Sequence, residues 1–287
     1  MAGLRTFEHD GLTFDYEDSG GGGEPVVLLH GYPGNHRSWD RVTPSLLAAG
    51  YRVLALDQRG YSPGARPRGR RAYTLDRVTG DLLALADTAG AGRFHVVGHD
   101  WGGAVAWAVA GWHPDRVASM TSMATPHLRA LSRSMLTSSQ GLRSLYMLFC
   151  QLPWLPEATV TSVPGGTAFV RTLVSSGLSE DRARDYLELL RAGAARYALN
   201  WYRAIPFNRL DRLTAVGVPV LYMYATADFA LGRRAADLTG RYATGPYQYT
   251  VLEDASHWIP EEHADVATPI VLEHLAVHRI SEAEEGP

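Results

Sequence analysis

The chain has 287 residues, 46% of them hydrophobic, enough for a substantial core in one large domain or in a core with an insertion. With 27 basic and 30 acidic residues the formal net charge is -3, so the charge balance gives no reason to expect nucleic acid as a partner. The single cysteine, Cys150, excludes an internal disulfide, no apolar run reaches the length of a membrane span, and the first ten residues lack the apolar stretch of a secretory signal. A cytoplasmic protein that does not insert into membranes is the expectation. Cys150 ends the apolar run from Tyr146 and reads as a buried, inert thiol. The arginine-rich stretch from Arg66 to Arg71 reads as a solvated loop.

Taken in chain order, residues 12–17 alternate loosely, as a half-buried strand does. A glycine-rich turn follows. Val26-Val27-Leu28-Leu29 is apolar at every position, which predicts a strand covered on both faces. It runs into the loop His30-Gly31-Tyr32-Pro33-Gly34. Helical spacing marks residues 38–49 and 75–88, and strands are predicted over 51–56, 94–97 and 117–121. Residues 98–109 turn into a helix. Strands alternating with helices of this length predict a mostly parallel sheet with helices on both faces.

The rhythm breaks after about Pro126. Residues 128–206 show helical periodicity and many aromatics, with 181–198 the clearest helix. Strands resume at 218–224 and 247–252, and a last helix over 264–278 should be interrupted or kinked near Pro269. The predicted organisation is a core of residues 1–127 and 207–287 carrying a helical insertion, 128–206, as a lid over the carboxyl ends of the strands. Open α/β sheets bind ligands at that edge.

The most informative segment is Gly98-His99-Asp100-Trp101-Gly102-Gly103. A strand enters, a glycine-bracketed turn follows and a small-residue helix leaves. This is the G-x-nucleophile-x-G pattern, in which a sharp turn lifts the central side chain above the sheet. The glycines are needed because flanking side chains would collide with strand and helix. The turn also presents the N–H of Trp101 at a helix start, where partial positive charge accumulates. The raised residue is Asp, not Ser. A carboxylate is already ionised near neutral pH and can attack an sp³ carbon that bears a leaving group, giving an ester of the protein. Taken alone, the segment also fits a tight turn with Asp100 as a polar cap.

Hydrolysing such an ester needs a base and an acid to orient it, in the chain order nucleophile, acid, histidine. Asp228 follows the strand at 218–224, and His257 follows the strand at 247–252. Each falls just past a strand end, in the required order. Tyr32, after the strand at 26–29, is placed to give a second backbone N–H for an oxyanion. His30 and the segment Asp57-Gln58-Arg59 read as loop braces. His99 should point away from the site.

These segments carry a family resemblance. His30-Gly31-Tyr32-Pro33, Asp57-Gln58-Arg59-Gly60, Gly98-His99-Asp100-Trp101-Gly102-Gly103, Asp228 and His257-Trp258 resemble those of epoxide hydrolases of the α/β-hydrolase superfamily, over nearly the whole chain. The resemblance implies an α/β-hydrolase fold with a helical cap. Haloalkane dehalogenases share much of this pattern. Two further segments separate the families. Asn200-Trp201-Tyr202-Arg203 and the segment from Tyr146 to Pro153 look like those that supply the ring-opening tyrosines of epoxide hydrolases, which implies Tyr202 and Tyr146 as acids. Without the resemblance, both tyrosines read as packing in a helical segment. Cys150, and an acid loop Ala225-Thr226-Ala227-Asp228 without the common glycine, depart from the pattern.

The implied reaction is opening of a small hydrophobic epoxide by Asp100, then hydrolysis of the hydroxyalkyl ester by water activated by His257 and Asp228, with the N–H groups of Tyr32 and Trp101 as oxyanion hole. The expected partners are substrate and water, with a homodimer open and no metal or organic cofactor. Dehalogenation of an alkyl halide and catalytically silent binding of a small apolar ligand stay as alternatives.

Overall fold

The computed structural model describes residues 3–213 and 215–280. The described chain opens with a hairpin of β1 (Arg5–His9) and β2 (Leu12–Asp18), joined by Asp10 and Gly11, both at positive φ. Such a two-residue turn matches the twist of the strands it joins. The sequence reading finds β2 and leaves β1 unassigned, although Asp10-Gly11 is the signal for it. β3 (Pro25–Leu29), α1 (Thr43–Ala48), β4 (Arg52–Leu56), α2 (Leu75–Thr88), β5 (Phe94–His99), α3 (Trp101–Trp112) and β6 (Val117–Met123) follow.

Next come eight helices: α4 (Leu128–Thr137), α5 (Gln140–Arg143), α6 (Tyr146–Cys150), α7 (Leu155–Thr161), α8 (Val163–Ser175), α9 (Glu180–Leu189), α10 (Ala195–Ala198) and α11 (Asn200–Ala204). Then β7 (Val220–Ala225), α12 (Arg233–Thr239), β8 (Tyr247–Leu252), α13 (Ile259–Glu262) and α14 (Ala264–Val277) complete the fold. The eight strands form one sheet in the order β1-β2-β4-β3-β5-β6-β7-β8. β1–β2 and β2–β4 pair antiparallel, and the rest pair parallel. This is the mostly parallel, helix-flanked sheet expected. β5, β6 and β7 are buried at every position, as befits central strands of a parallel sheet covered on both faces.

Three expected helices change on inspection. Residues 38–49 divide into a 3₁₀ turn over His36–Trp39 and α1. Pro44 is the reason: it lacks an N–H and suits only the first turn of a helix, so α1 starts beside it. The stretch 181–198 divides at Leu190–Ala194, where Gly193 takes φ 102°, a left-handed conformation that other residues rarely adopt. The helix expected from Gly98 starts at Trp101, because β5 continues through His99. α14 runs without interruption through Pro269. Among the described residues, no helix is long and apolar enough to cross a membrane.

The helices between β6 and β7 are tied to the core at defined points. Trp201 donates its indole N–H to the carbonyl of Arg59 at 2.7 Å. Arg59 is itself held by Asp81 in a buried two-pronged pair at 2.8 and 2.6 Å. Removing one member of such a pair strands a buried charge, at about 3–5 kcal/mol.

Candidate active site

Parallel strands bring their carboxyl ends to one edge of the sheet, and the predicted residues collect there. Asp100 sits between β5 and α3 with φ 51° and ψ -120°. Holding a non-glycine residue in such a region costs of order 1–3 kcal/mol and persists only where the surroundings impose it. Here they do. A Cβ on Gly98 would overlap the backbone of Gly102, and one on Gly102 would overlap the carbonyl of Leu29. The turn is tight because both neighbours are bare.

The two oxygens of Asp100 differ. Oδ1 accepts the backbone N–H of Tyr32 at 2.8 Å. Oδ2 lies 3.8 Å from Nε2 of His257, too long for a good hydrogen bond. On its other side, Nδ1 of His257 donates to Oδ2 of Asp228 at 2.7 Å. Oδ1 of Asp228 accepts the N–H groups of Ala230 and Leu231 at 2.7 and 2.9 Å. Side-chain exposure falls from 18% at Asp100 to 4% at His257 and 0% at Asp228. Only the first carboxylate is therefore reachable by a ligand.

The electrostatics follow this geometry. Burial alone would depress the His257 pKa, but the charge and hydrogen bond of Asp228, then the charges of Asp100 and Glu261, lift it to about 9. Burial would raise Asp228, yet the charge and hydrogen bond of His257 and the two backbone N–H groups hold it below the usual carboxylate range. The pair favours an imidazolium facing carboxylates.

Above Asp100 the helices supply aromatic surface. Tyr146 and Tyr202 meet edge to face with ring centres 5.8 Å apart. Tyr202 also packs against Tyr32 at 5.5 Å and Trp101 at 5.2 Å. Burial first, and then neighbouring charge that includes Asp100, raises both phenol pKa values well above normal, so both keep their protons. Arg203 fixes their spacing. It grips Glu157 at 2.6 and 2.9 Å and also donates to the carbonyls of Cys150 and Leu152, which ties α11 to the end of α6. Gln151 donates to the carbonyl of Tyr202 at 2.7 Å. Trp101 heads α3 with its ring in this cluster, tilted against Trp201 at 5.7 Å. Cys150 is buried, which pushes its thiol up to about 11 and leaves it unreactive.

The braces take shape as well. His30 accepts the N–H of Gln58 on Nε2 at 3.1 Å and donates from Nδ1 to the carbonyl of Gly31 at 2.9 Å. Asp57 accepts the backbone N–H of His36 at 2.7 Å. His99 does not point away from the site. Its Nε2 donates to the carbonyl of His257 at 2.8 Å, and the two rings lie 4.8 Å apart. Its only signal in the sequence is its place beside the raised residue.

Buried neutral histidines give the fold an acid limit. Burial holds His30 and His99 at a pKa of about 4, with the positive charge of His257 adding to the effect at His99. An unfolded imidazole titrates near 6.5. The folded values are depressed, so this stability is complete above about pH 6.5 and is lost as pH falls through 4. His257 has the opposite sign: its contribution is complete below about pH 6.5 and is lost as pH rises through 9. Thermal melts are expected to show a midpoint that drops toward pH 4 and again toward pH 9. A midpoint that stays flat from pH 6.5 to pH 4 would contradict the assignment.

Known proteins resemble the chain over most of its length. Residues 24–264 match the family model described as alpha/beta hydrolase fold. Epoxide hydrolase A of Mycobacterium tuberculosis is 32% identical, over 94% of this chain and 96% of the relative. An AB hydrolase superfamily protein of Bacillus subtilis, YfhM, is 33% identical over 88% and 90%. The crystal structure of epoxide hydrolase A from Mycobacterium thermoresistibile superposes with a TM-score of 0.83 at 26% identity, over 97% of this chain and 99% of that one. The chain belongs to the epoxide hydrolase family of the α/β-hydrolase superfamily.

Proposed function

We propose that the protein hydrolyses a small hydrophobic epoxide to a vicinal diol in two steps through Asp100. Residues 128–206 act as the cap over the core formed by 1–127 and 207–287, and the substrate lies between them. The observation that supports this most directly is the pairing of two protonated phenols, Tyr146 and Tyr202, with an ionisable carboxylate at a nucleophile turn.

In the first step Oδ2 of Asp100 attacks a ring carbon, because Oδ1 is already engaged by Tyr32. The C–O bond of the ring breaks, and its oxygen takes a proton from Tyr146 or Tyr202. The ester keeps Oδ1 as its carbonyl oxygen. That oxygen already rests on one oxyanion donor, and the N–H of Trp101 is the second.

In the second step His257 removes a proton from water, whose oxygen attacks the Asp100 carbonyl carbon. The bond from that carbon to Oδ2 then breaks, and Oδ2 leaves in the diol with the proton from His257. The water oxygen stays as part of the regenerated carboxylate, and the second water proton restores the tyrosine. The timing is built into the charges. While Asp100 is ionised it helps to keep His257 protonated. Alkylation removes that negative charge, which lowers the proton affinity of His257 and turns it into a base. Asp228 stabilises the imidazolium that forms. Nucleophile, acid and base are all side chains, so the reaction as written uses no metal or cofactor.

The test is intact mass after brief exposure of His257→Gln to styrene oxide. Attack should proceed while hydrolysis slows by about a thousandfold or more. The mass is expected to rise by one substrate, and peptide mapping should place it on Asp100. All 27 basic residues are arginine, so no lysine amine competes. An adduct with a haloalkane but not with the epoxide would instead identify a dehalogenase. No adduct with either would leave only silent binding.

A further inference from the structure

The loop that carries His257 is joined to the helices of residues 128–206 by three hydrogen bonds. Trp258 donates to Ser176 Oγ at 2.9 Å, the N–H of Ser179 donates to Glu262 at 2.8 Å, and the hydroxyl of Tyr186 donates to Glu261 Oε1 at 2.6 Å. Ser38 Oγ lies 2.8 Å from the same tyrosine hydroxyl and completes a chain, Ser38 to Tyr186 to Glu261. Outside it, Arg182 reaches Asp40 at 3.0 Å and Arg37 reaches Asp185 at 3.6 Å. Those exposed pairs contribute little, but they mark the same seam.

Glu261 is the anomaly in this seam. It is 5% exposed and four residues beyond the base, and its Oε2 has no hydrogen-bond partner among the described residues. Burial raises the pKa of this carboxyl, against the hydrogen bond of Tyr186 and the charge of His257, because a buried carboxylate is costly unless donors and positive charge compensate it. Arg41 contacts only its backbone carbonyl, at 2.7 Å, and Arg182 is committed to Asp40. Two cations bear on it electrostatically, Arg182 and the imidazolium of His257.

We propose that Glu261 is a positioning residue for the second half-reaction: Tyr186 and Ser38 hold its carboxylate beside His257, so that the seated cap supplies the base with an anionic partner in addition to Asp228. This rests on the reading of His257 as the deacylating base. The groups that face His257 are Asp228 from the turn after β7, His99 from the end of β5, Asp100 from the turn after it, and Glu261 from α13. Those that face Glu261 are Tyr186 and Arg182 from α9, with Ser38 and Arg41 from the segment before α1. When Asp100 is alkylated its charge disappears, and Glu261 and Asp228 become the anions that stabilise the imidazolium as it forms.

The experiment follows decay of the alkylated protein after a pulse of styrene oxide, from about pH 5 to pH 10, in wild type, Glu261→Gln and Tyr186→Phe. Removing a negative charge near a base lowers its pKa. The midpoint of the deacylation profile is expected to move toward acid by about one pH unit in Glu261→Gln, with the plateau about tenfold lower. Tyr186→Phe should shift it the same way, and the double variant should add little. Formation of the adduct should stay within about threefold, since that step uses no proton taken by His257. A lower rate with an unmoved midpoint in both single variants would overturn the proposal and leave a packing role. If Glu261→Gln does not fold, Tyr186→Phe and Ser38→Ala decide by the same readout. If wild type and His257→Gln form no adduct, it is the hydrolase reading that fails.

Discussion

Asp100→Asn is expected to lose epoxide turnover by roughly ten-thousandfold or more while keeping its fold. The amide carbonyl can still accept the N–H of Tyr32 where Oδ1 does now. Asparagine is also isosteric with aspartate, so it fits the space that Asp100 occupies in this turn. What disappears is the charge and the attacking Oδ2. Circular dichroism should superpose on wild type, and no adduct should form in Asp100→Asn/His257→Gln. Full turnover in the single variant, checked by mass against reversion to Asp, would remove Asp100 from the chemistry. Cleavage of simple esters that survived the change would point to a separate acyl-transfer site.

The second large effect belongs to the phenols. Tyr146→Phe and Tyr202→Phe are each expected to slow ring opening by about 10–100-fold, and the double variant by about a thousandfold or more. The singles are milder because one phenol can still hold the ring oxygen and donate its proton. Packing should survive, because α6 and α11 are held through Arg203 and Gln151 rather than through the hydroxyls. Hydrolysis of an ester already formed needs neither phenol, so its rate should be unchanged in rapid-mixing experiments. Ring opening at the wild-type rate in the double variant would leave the tyrosines a packing role alone.

The part of the fold legible in the sequence is the part set by local pattern. Val26 to Leu29 reads correctly because burial on both faces leaves only apolar residues there, and the strands around 94–97 and 117–121 read correctly although they bury His95, Ser119 and Thr121 among apolar neighbours. Asp100, Asp228 and His257 are legible as positions because each follows a strand end, and the structure brings their side chains into one row. Helix limits are less legible. Pro44 and Gly193 set them through backbone chemistry that hydrophobic spacing does not register. The hairpin partner β1 has a turn signal but only weak alternation, with one of its five residues buried. Least legible are contacts between distant segments. Nothing near Tyr186 indicates that it meets Glu261, 75 residues away, and His99 braces the base across 158 residues. Such pairings depend on how the layers are stacked.

The ties between the His257 loop and α8–α9 bear on how this architecture can be recombined. A set of helices transplanted from a relative in place of residues 128–206 would bring new pocket walls, but Trp258, Glu261 and Glu262 would lose Ser176, Tyr186 and Ser179. The general base would then stand on a loop whose anchors had gone. The smallest exchangeable module is therefore discontinuous: the helices together with residues 256–262, inherited as one piece. Where lineages trade substrate range by swapping lids, this chain's history should show both stretches changing in step.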